Sequence, residues 1–394
     1  MVVDLAGSGG GHRFRALDSL RGLAACLIVC FHMPSSGHAW GWRLVQNGFL
    51  AVDLFFVLSG FVISASYGRR LAQGFPPVRF MLLRLGRVYP LHLFVLGLFV
   101  AWELVRLAFA LPGFRSAGPF TGESDPSAIA AHLLLVQNWL GGETWNKPSW
   151  SIGTEYWTYA IFAIGVLAIG WRARLLPLAL LLMVPAVAVR LLHPALPQGA
   201  MNAVGCAASF GGGMIAHMIW VAAESDGRVR RLPLAVSTLI EVATAALALW
   251  LAARFGGKLS PLMTPAFVLA VIVFSFEQGL VSRLLRSAPL LLVGELSYSI
   301  YMIHYFVQLR LLDAITVLGR SPSFPFQALQ SGRLVVAGDT WACDALTAGM
   351  LLGVIALAWP IFHFIENPAR RWSRNVLTPR PSPGHGVQPT TGAV

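Results

Sequence analysis

The chain has 394 residues, of which 56% are hydrophobic and only 12% charged, about half the charged share of an ordinary soluble domain. With a mean hydropathy of +0.67, the surplus apolar surface has to face a bilayer, which excludes a water-soluble globular enzyme. The charge that remains is lopsided, 29 Lys+Arg against 17 Asp+Glu for a net +12. Yet the lysines are Lys147 and Lys258 alone, and the arginines come in small groups between apolar runs. That is the pattern of cytoplasmic loops, so the excess reads as topology and implies no nucleic-acid partner.

A spanning helix needs about 20 mostly apolar residues. Ten runs qualify, at 15–33, 48–66, 89–111, 149–170, 175–192, 200–222, 234–253, 262–279, 289–310 and 343–365. The expected fold is therefore an all-α polytopic membrane protein. An even number of spans puts both termini on one side, and 19 of the 29 basic residues fall on that side, which predicts cytoplasmic termini. The apolar stretch of the first run, Gly22 to Met33, carries Arg21 and His32 at its ends and no small-residue cleavage site after it, so it reads as a retained helix rather than a signal peptide. Cys26, Cys30, Cys206 and Cys343 lie inside apolar runs with no metal-ligand spacing and read as small buried hydrophobes. Residues 1–14 and 373–394 read as disordered tails around a membrane domain at 15–372. Between the spans, 112–148 and 311–342 are long enough to shape a substrate mouth. The apolar run 128–140 is too short to cross and predicts an interfacial or re-entrant helix.

An ionisable side chain inside a membrane costs at least ~2.5 kcal/mol unless paired or hydrated, so such residues mark sites. The first span sets Asp18 and Arg21 three residues apart and His32 eleven beyond Arg21. Eleven residues at about 100° return to one helix face and separate the two by roughly 16 Å. The plain reading is an interfacial anchor pair and a wetted histidine. The sharper one is a permanent cation for an anionic group at one end and a proton-transfer group at the other. The second span carries Asp53 in its outer half, then Ser59 and Gly60, which read first as a helix-packing pair. The loop beyond ends with Arg84, Arg87, Tyr89 and Pro90, positive-inside anchors that also suit an anion. Trp145, Trp150 and Trp157 suggest an aromatic belt around the entry of the fourth span, and Glu155 lies two turns inside it. The ninth span sets Tyr298, Tyr301 and His304 along roughly one face. Glu103 with Arg106, Arg190, His217 and Glu241 read as helix-end and internal pairing groups, and Glu366 with Arg370 and Arg371 as an ion-paired helix stop.

These residues carry a resemblance. From about Arg15 to Trp372 the chain resembles the membrane-bound acyltransferase 3 family, polytopic O-acyltransferases that acylate bacterial glycans and some macrolides. The matching elements are Arg21 and His32 with ten residues between them, Phe55–Ile63, Arg84–Pro90, Ser149–Glu155, Leu296–His304 and Glu366–Arg371. The resemblance implies that Arg21 and His32 are required for activity and that Arg84 and Arg87, with Tyr89 beside them, engage the acyl donor. It implies acyl-CoA, most often acetyl-CoA, as co-substrate with no bound cofactor and no metal, and a carbohydrate or glycosylated acceptor. It also implies a multi-pass protein of the bacterial inner membrane, in the stand-alone form without a soluble esterase-like domain. On this reading His32 is the general base, Asp18 and Glu155 orient or charge-balance it and Arg21, and Asp53, Ser59, Tyr298 and His304 are candidate acceptor-side or helper groups. The competing class is a transporter or flippase in which the same groups relay protons. Broken spans or internal repeats would favour it, and the sequence displays neither.

Overall fold

Hydrocarbon offers no hydrogen bonds, so an apolar run can cross it only if its backbone pairs with itself, and the long apolar runs of this chain accordingly coil. The computed structural model describes residues 13–111, 118–140, 145–169, 175–192, 196–227, 229, 232–254, 263–321, 323–330 and 334–377. Of the tails expected at 1–14 and 373–394, residues 1–12 and 378–394 lie outside the described residues. Among the described residues ten helices of 13 or more residues follow in order: α1 Arg15–Phe31, α2 Ala51–Ile63, α3 Pro77–Phe109, α4 Trp150–Ile169, α5 Leu175–Leu192, α6 Gln198–Asp226, α7 Leu234–Arg254, α8 Met263–Ser275, α9 Ala288–Leu318 and α10 Thr340–Ile361. An eleventh, α11, runs over Asn367–Leu377, so the helical chain continues past Trp372. Among the described residues six continuous helical stretches are long and apolar enough to cross a bilayer: Gly48–Ala72, Pro77–Phe109, Gln198–Asp226, Leu234–Arg254, Ala288–Leu318 and Thr340–Leu377.

Small residues decide which helices touch. A Cβ on Gly22 of α1 would lie 2.6 Å from the Gly294 nitrogen of α9, and one on Gly294 would lie 2.6 Å from the Asp18 carbonyl. Lipid is as apolar as leucine, so this close backbone approach, rather than water exclusion, is what joins the pair. The contacts Asp18 with Gly294, Arg21 with Ser297 and His32 with His304 climb together along both helices. Hence α1 and α9 run side by side in one direction. A second close approach joins α2 to α6, where Gly60 sits over the Phe210 carbonyl and Gly213 over the Val57 carbonyl. The core between α1, α2, α3, α9 and α10 is filled by Ile28, Phe56, Leu91, Ile300 and Val354.

Two π-turns interrupt the helices at one rim, Ser64–Gly68 after α2 and Phe362–Glu366 between α10 and α11. Such turns add a residue to the helical cycle and re-aim the side chains around them. The first presents Tyr67, whose hydroxyl accepts from Arg84 Nη2 at 3.2 Å. The second buries Glu366, which accepts from Ser299 Oγ at 2.7 Å and pairs with Arg370 at 3.0 Å.

The segment at 128–140, expected to be interfacial or re-entrant, folds back against α3. It forms two short helices, Ile129–Leu133 and Gln137–Leu140, joined through Leu135 at φ 58°. Tyr89 donates to the Leu133 carbonyl at 2.8 Å, and the His132 carbonyl bonds His92 Nε2 at 3.0 Å. Tyr89 is 20 residues short of the end of α3, about 30 Å along its axis, so the segment dips beside the middle of that helix. This fold-back overturns part of the aromatic-belt expectation. Trp145 is 2% exposed and donates to the Asp125 carbonyl at 2.9 Å, because the chain carrying it turns into the bundle. The all-α expectation also needs one amendment, an antiparallel hairpin of Phe326–Gln330 with Leu334–Gly338. Ser35 bridges to its Val336, pinning the chain just beyond His32.

The internal-pairing expectations resolve individually. Glu103 and Arg106 form a buried pair at 2.9 Å, to which Phe120 N and Ser124 Oγ add donors. Glu241 caps the short helix Leu280–Leu285 by accepting from Gly279 N, Ser282 N and Ser282 Oγ. His217 packs edge-on against Phe61. The Arg190 side chain lies outside the described residues.

Candidate active site

An open cavity with about 790 Å³ of empty space, mouth included, lies among α1, α2, α3, α4 and α9. Its polar lining comprises Arg21, Ser59, Arg84, Arg87, Ser151, Glu155, Tyr159, Ser297, Tyr298 and Tyr301, set against apolar Val52, Phe55, Phe56 and Ile152. Five separate helices supply these groups, and the sequence-predicted Arg21, Ser59, Arg84, Arg87, Glu155 and Tyr298 meet here.

Arg21 is held from two sides. Its Nε donates to Ser297 Oγ at 2.9 Å and its Nη2 to Asp18 Oδ1 at 3.3 Å, while Arg13 holds the other Asp18 oxygen at 3.2 Å. Asp18 thus orients Arg21 without lining the cavity. Across from it, Tyr159 donates to Glu155 Oε1 at 2.6 Å. That commits the only phenolic proton, so the 3.0 Å contact with Ser59 has the serine as donor. Ser59, Tyr159 and Glu155 form one directed chain. Tyr298 donates to the Val88 carbonyl at 2.6 Å, which fixes α9 against α3 just beyond Arg87. Among the described residues Arg87 makes no hydrogen bond or ion pair, and Arg84 Nε is buried without a partner. Guanidinium donors are therefore left for something else.

His32 stands beyond the Tyr301 wall of this cavity. His304, fully buried, brings Nδ1 to 2.7 Å from the Tyr301 carbonyl and Nε2 to 3.2 Å from His32 Nδ1. A carbonyl can only accept, so in neutral His304 the proton is on Nδ1 and Nε2 is an acceptor. His32 Nδ1 then carries a hydrogen, shared between His304 Nε2 and the Ile28 carbonyl at 3.0 Å. The basic nitrogen of His32 is Nε2.

The Cα separation of Arg21 and His32 remains about 16 Å by helical rise, but their working ends are closer. The guanidinium sits at Ser297 and the imidazole at His304, seven residues apart on α9, which is about 10 Å.

Two predicted residues stand apart. Asp53 is buried at 8% exposure in the first turn of α2 and does not line the cavity. Tyr89, expected beside the cationic pair, commits its hydroxyl to the Leu133 carbonyl of the fold-back segment. Sequence reasoning missed Tyr159 and Ser297. Tyr159 lies one helical turn past Glu155 and was legible as its neighbour, but Ser297 gave no signal apart from α1.

Helices that gather an arginine cluster and Glu155 around one cavity, with a histidine pair beyond its Tyr301 wall, define a membrane protein with a polar interior site. The chain belongs to the acyltransferase 3 family, whose acyltransferase domain matches residues 14–359, and it is an acyltransferase. It is 26% identical to the acyltransferase MdmB of Streptomyces mycarofaciens over 91% of this chain and 92% of that one. It is 31% identical to the exopolysaccharide production protein ExoZ of Rhizobium meliloti over 73% of this chain and 86% of that protein. It also matches the putative membrane-bound transacylase BcsY of Komagataeibacter xylinus, at 32% over 39% of this chain and 37% of that protein.

Proposed function

We propose that this protein is an integral O-acyltransferase of the bacterial inner membrane, with ten spans and cytoplasmic termini, moving an acyl group from cytosolic acyl-CoA to a carbohydrate hydroxyl. The likeness to ExoZ, an exopolysaccharide production protein, supports a glycan acceptor, and acetyl is the simplest acyl group for the reaction. The single observation that carries the chemistry is the His304–His32 relay, which leaves a basic nitrogen on His32.

In this mechanism the phosphates of the donor bind Arg84 and Arg87, and the pantetheine arm passes Arg21 toward His32. The acceptor hydroxyl gives its proton to His32 Nε2 while its oxygen attacks the thioester carbonyl. His304 Nε2, already the acceptor for His32 Nδ1–H, supports the imidazolium that results. Collapse of the tetrahedral adduct breaks the C–S bond, and His32 returns the proton to the departing thiolate, giving ester and free CoA. Direct transfer accounts for the geometry better than an acyl-histidine, because the hydrogen-bonded relay is built to move a proton.

Purified protein in nanodiscs, given acetyl-CoA and candidate glycans, should release CoA in step with acceptor acetylation. His32→Ala should lower kcat by about 10²- to 10⁴-fold, the usual share of general-base catalysis, with CoA affinity unchanged. Turnover near that of the wild type in a folded His32→Ala variant would refute the assigned base. Proton-coupled glycan flux without CoA release would return the transporter reading.

A further inference from the structure

The helix stop expected at Glu366–Arg371 has a second feature that its ion pair does not use. After the π-turn, α11 lies against α3, with Ser373 buried on Gly86. Gly86 is flanked by Arg84 and Arg87. Arg370 and Arg374 flank Ser373 on one side of α11, and Arg371 is exposed. Arg370 lies near enough to Arg87, Arg374 and Arg21 for their charges to act on it, as does Arg374 to Arg87 and Arg84. Arg21, Arg84 and Arg87 line the cavity, and Arg370 and Arg374 stand beside them where α11 packs on α3. The carboxylates acting on Arg21 are Asp18, Glu366 and Glu155, and Asp18 is shared with Arg13. Arg87, which has no ion pair among the described residues, lies among the like charges of Arg21, Arg370 and Arg374, and their repulsion is costly where water is partly excluded. Arg84 Nε, buried and unpartnered, adds an unused donor in the same place.

We propose that Arg370 and Arg374 extend the binding site for the phosphate-bearing end of the donor onto α11, so that the site takes a polyanionic nucleotide thioester rather than a carrier with one phosphate. The inference rests on the reading that an acyl donor enters past Arg84 and Arg87. Arg370 is anchored by Glu366 and reaches the ligand as a fixed charge, whereas Arg374, one turn on, is the outer contact. CoA carries a diphosphate and a ribose phosphate, enough charge to satisfy both tiers of arginine. A phosphopantetheine alone would leave the α11 tier unmatched.

The test is equilibrium binding of CoA, dephospho-CoA and 4′-phosphopantetheine to the full chain in neutral nanodiscs, comparing Arg374→Glu with Arg371→Glu, which makes the same charge change on the exposed side of the helix. Arg374→Glu should weaken CoA by at least about tenfold and Arg371→Glu by no more than about twofold. Arg374→Lys should recover most of the loss, which separates lost charge from misfolding. Wild-type affinity should fall in the order CoA, dephospho-CoA, phosphopantetheine. Equal CoA affinity in the two Glu variants, or equal wild-type affinity for CoA and phosphopantetheine, would overturn the inference and leave α11 as a membrane-surface anchor. If acetyl-CoA supports transfer while the Glu variants match, this inference fails alone. If CoA binds as expected and no acyl transfer occurs, the proposed function fails alone.

Discussion

His32 and His304 show how one proton position follows from a neighbouring carbonyl. The Tyr301 carbonyl accepts from His304 Nδ1 at 2.7 Å, and everything outward of that bond is determined: an acceptor at His304 Nε2, a hydrogen on His32 Nδ1, a basic Nε2. His304 is a positioning residue in this account, since it acts through His32. His304→Ala should therefore slow turnover at least about tenfold, and the His32→Ala/His304→Ala double variant should be no slower than His32→Ala alone, because residues that act as a unit are not additive. Losses that multiply in steady-state kinetics would separate the two roles. Glu155, Tyr159 and Ser59 form the second directed chain of the site. It ends in the cavity at Ser59, which the sequence suggested mainly for packing, while its neighbour Gly60 does pack against α6.

The elements of this fold are placed by close backbone contacts, and Gly22 of α1 is the clearest case. A side chain there would strike the Gly294 backbone, which cannot yield as a flexible side chain would. Gly22→Val should destabilise the protein by about 1–3 kcal/mol, the usual cost of overpacking, seen as a lower Tm in detergent. It should also reduce activity, since the α1–α9 contact sets both Arg21 against Ser297 and His32 against His304. Gly349→Ala, in α10 with nothing within 4 Å of the new Cβ, should raise Tm slightly through better helix propensity. An unchanged Tm for Gly22→Val would remove the contact as the reason for the pairing. The same scale explains the two π-turns. Both lie beside the arginine cluster, one aiming Tyr67 at Arg84 and the other aiming Glu366 at Arg370.

Across the whole molecule the arginines sort by depth and side. Those at 84, 87, 370 and 374 gather at one end of the bundle, near the end of α11, whereas the hairpin and the 118–127 segment lie at the far ends of α9 and α3. If the arginine-rich end is cytoplasmic, a fluorescent protein fused after Val394 should fluoresce in bacterial cells. A Ser127→Cys variant, exposed in the opposite segment, should react with an impermeant maleimide added from outside, beyond the background of the parent chain. Labelling of Ser127→Cys only after cell lysis would invert the topology and place the arginine cluster away from cytosolic acyl-CoA.

Composition and apolar run length by themselves determined that the chain is a helical membrane protein, and motif spacing pointed to its family. Both are local properties: the need for self-paired backbone in hydrocarbon acts on each run separately, and an Arg and a His eleven apart share a face of whatever helix holds them. The tertiary structure decided what those groups meet. Ser297, Tyr159 and Arg374 join the site from other helices, so no spacing within one span could announce them. Tyr89 was grouped with the arginines by adjacency, and its hydroxyl bonds the fold-back segment at Leu133, because residues two apart on a helix face different ways. Trp145 was expected in an interfacial aromatic belt and lies buried, because the segment carrying it turns into the bundle. The roughly 16 Å between Arg21 and His32 came from the rise of one helix, and the shorter reach of about 10 Å between their working ends required the neighbour, α9, on which both side chains lean.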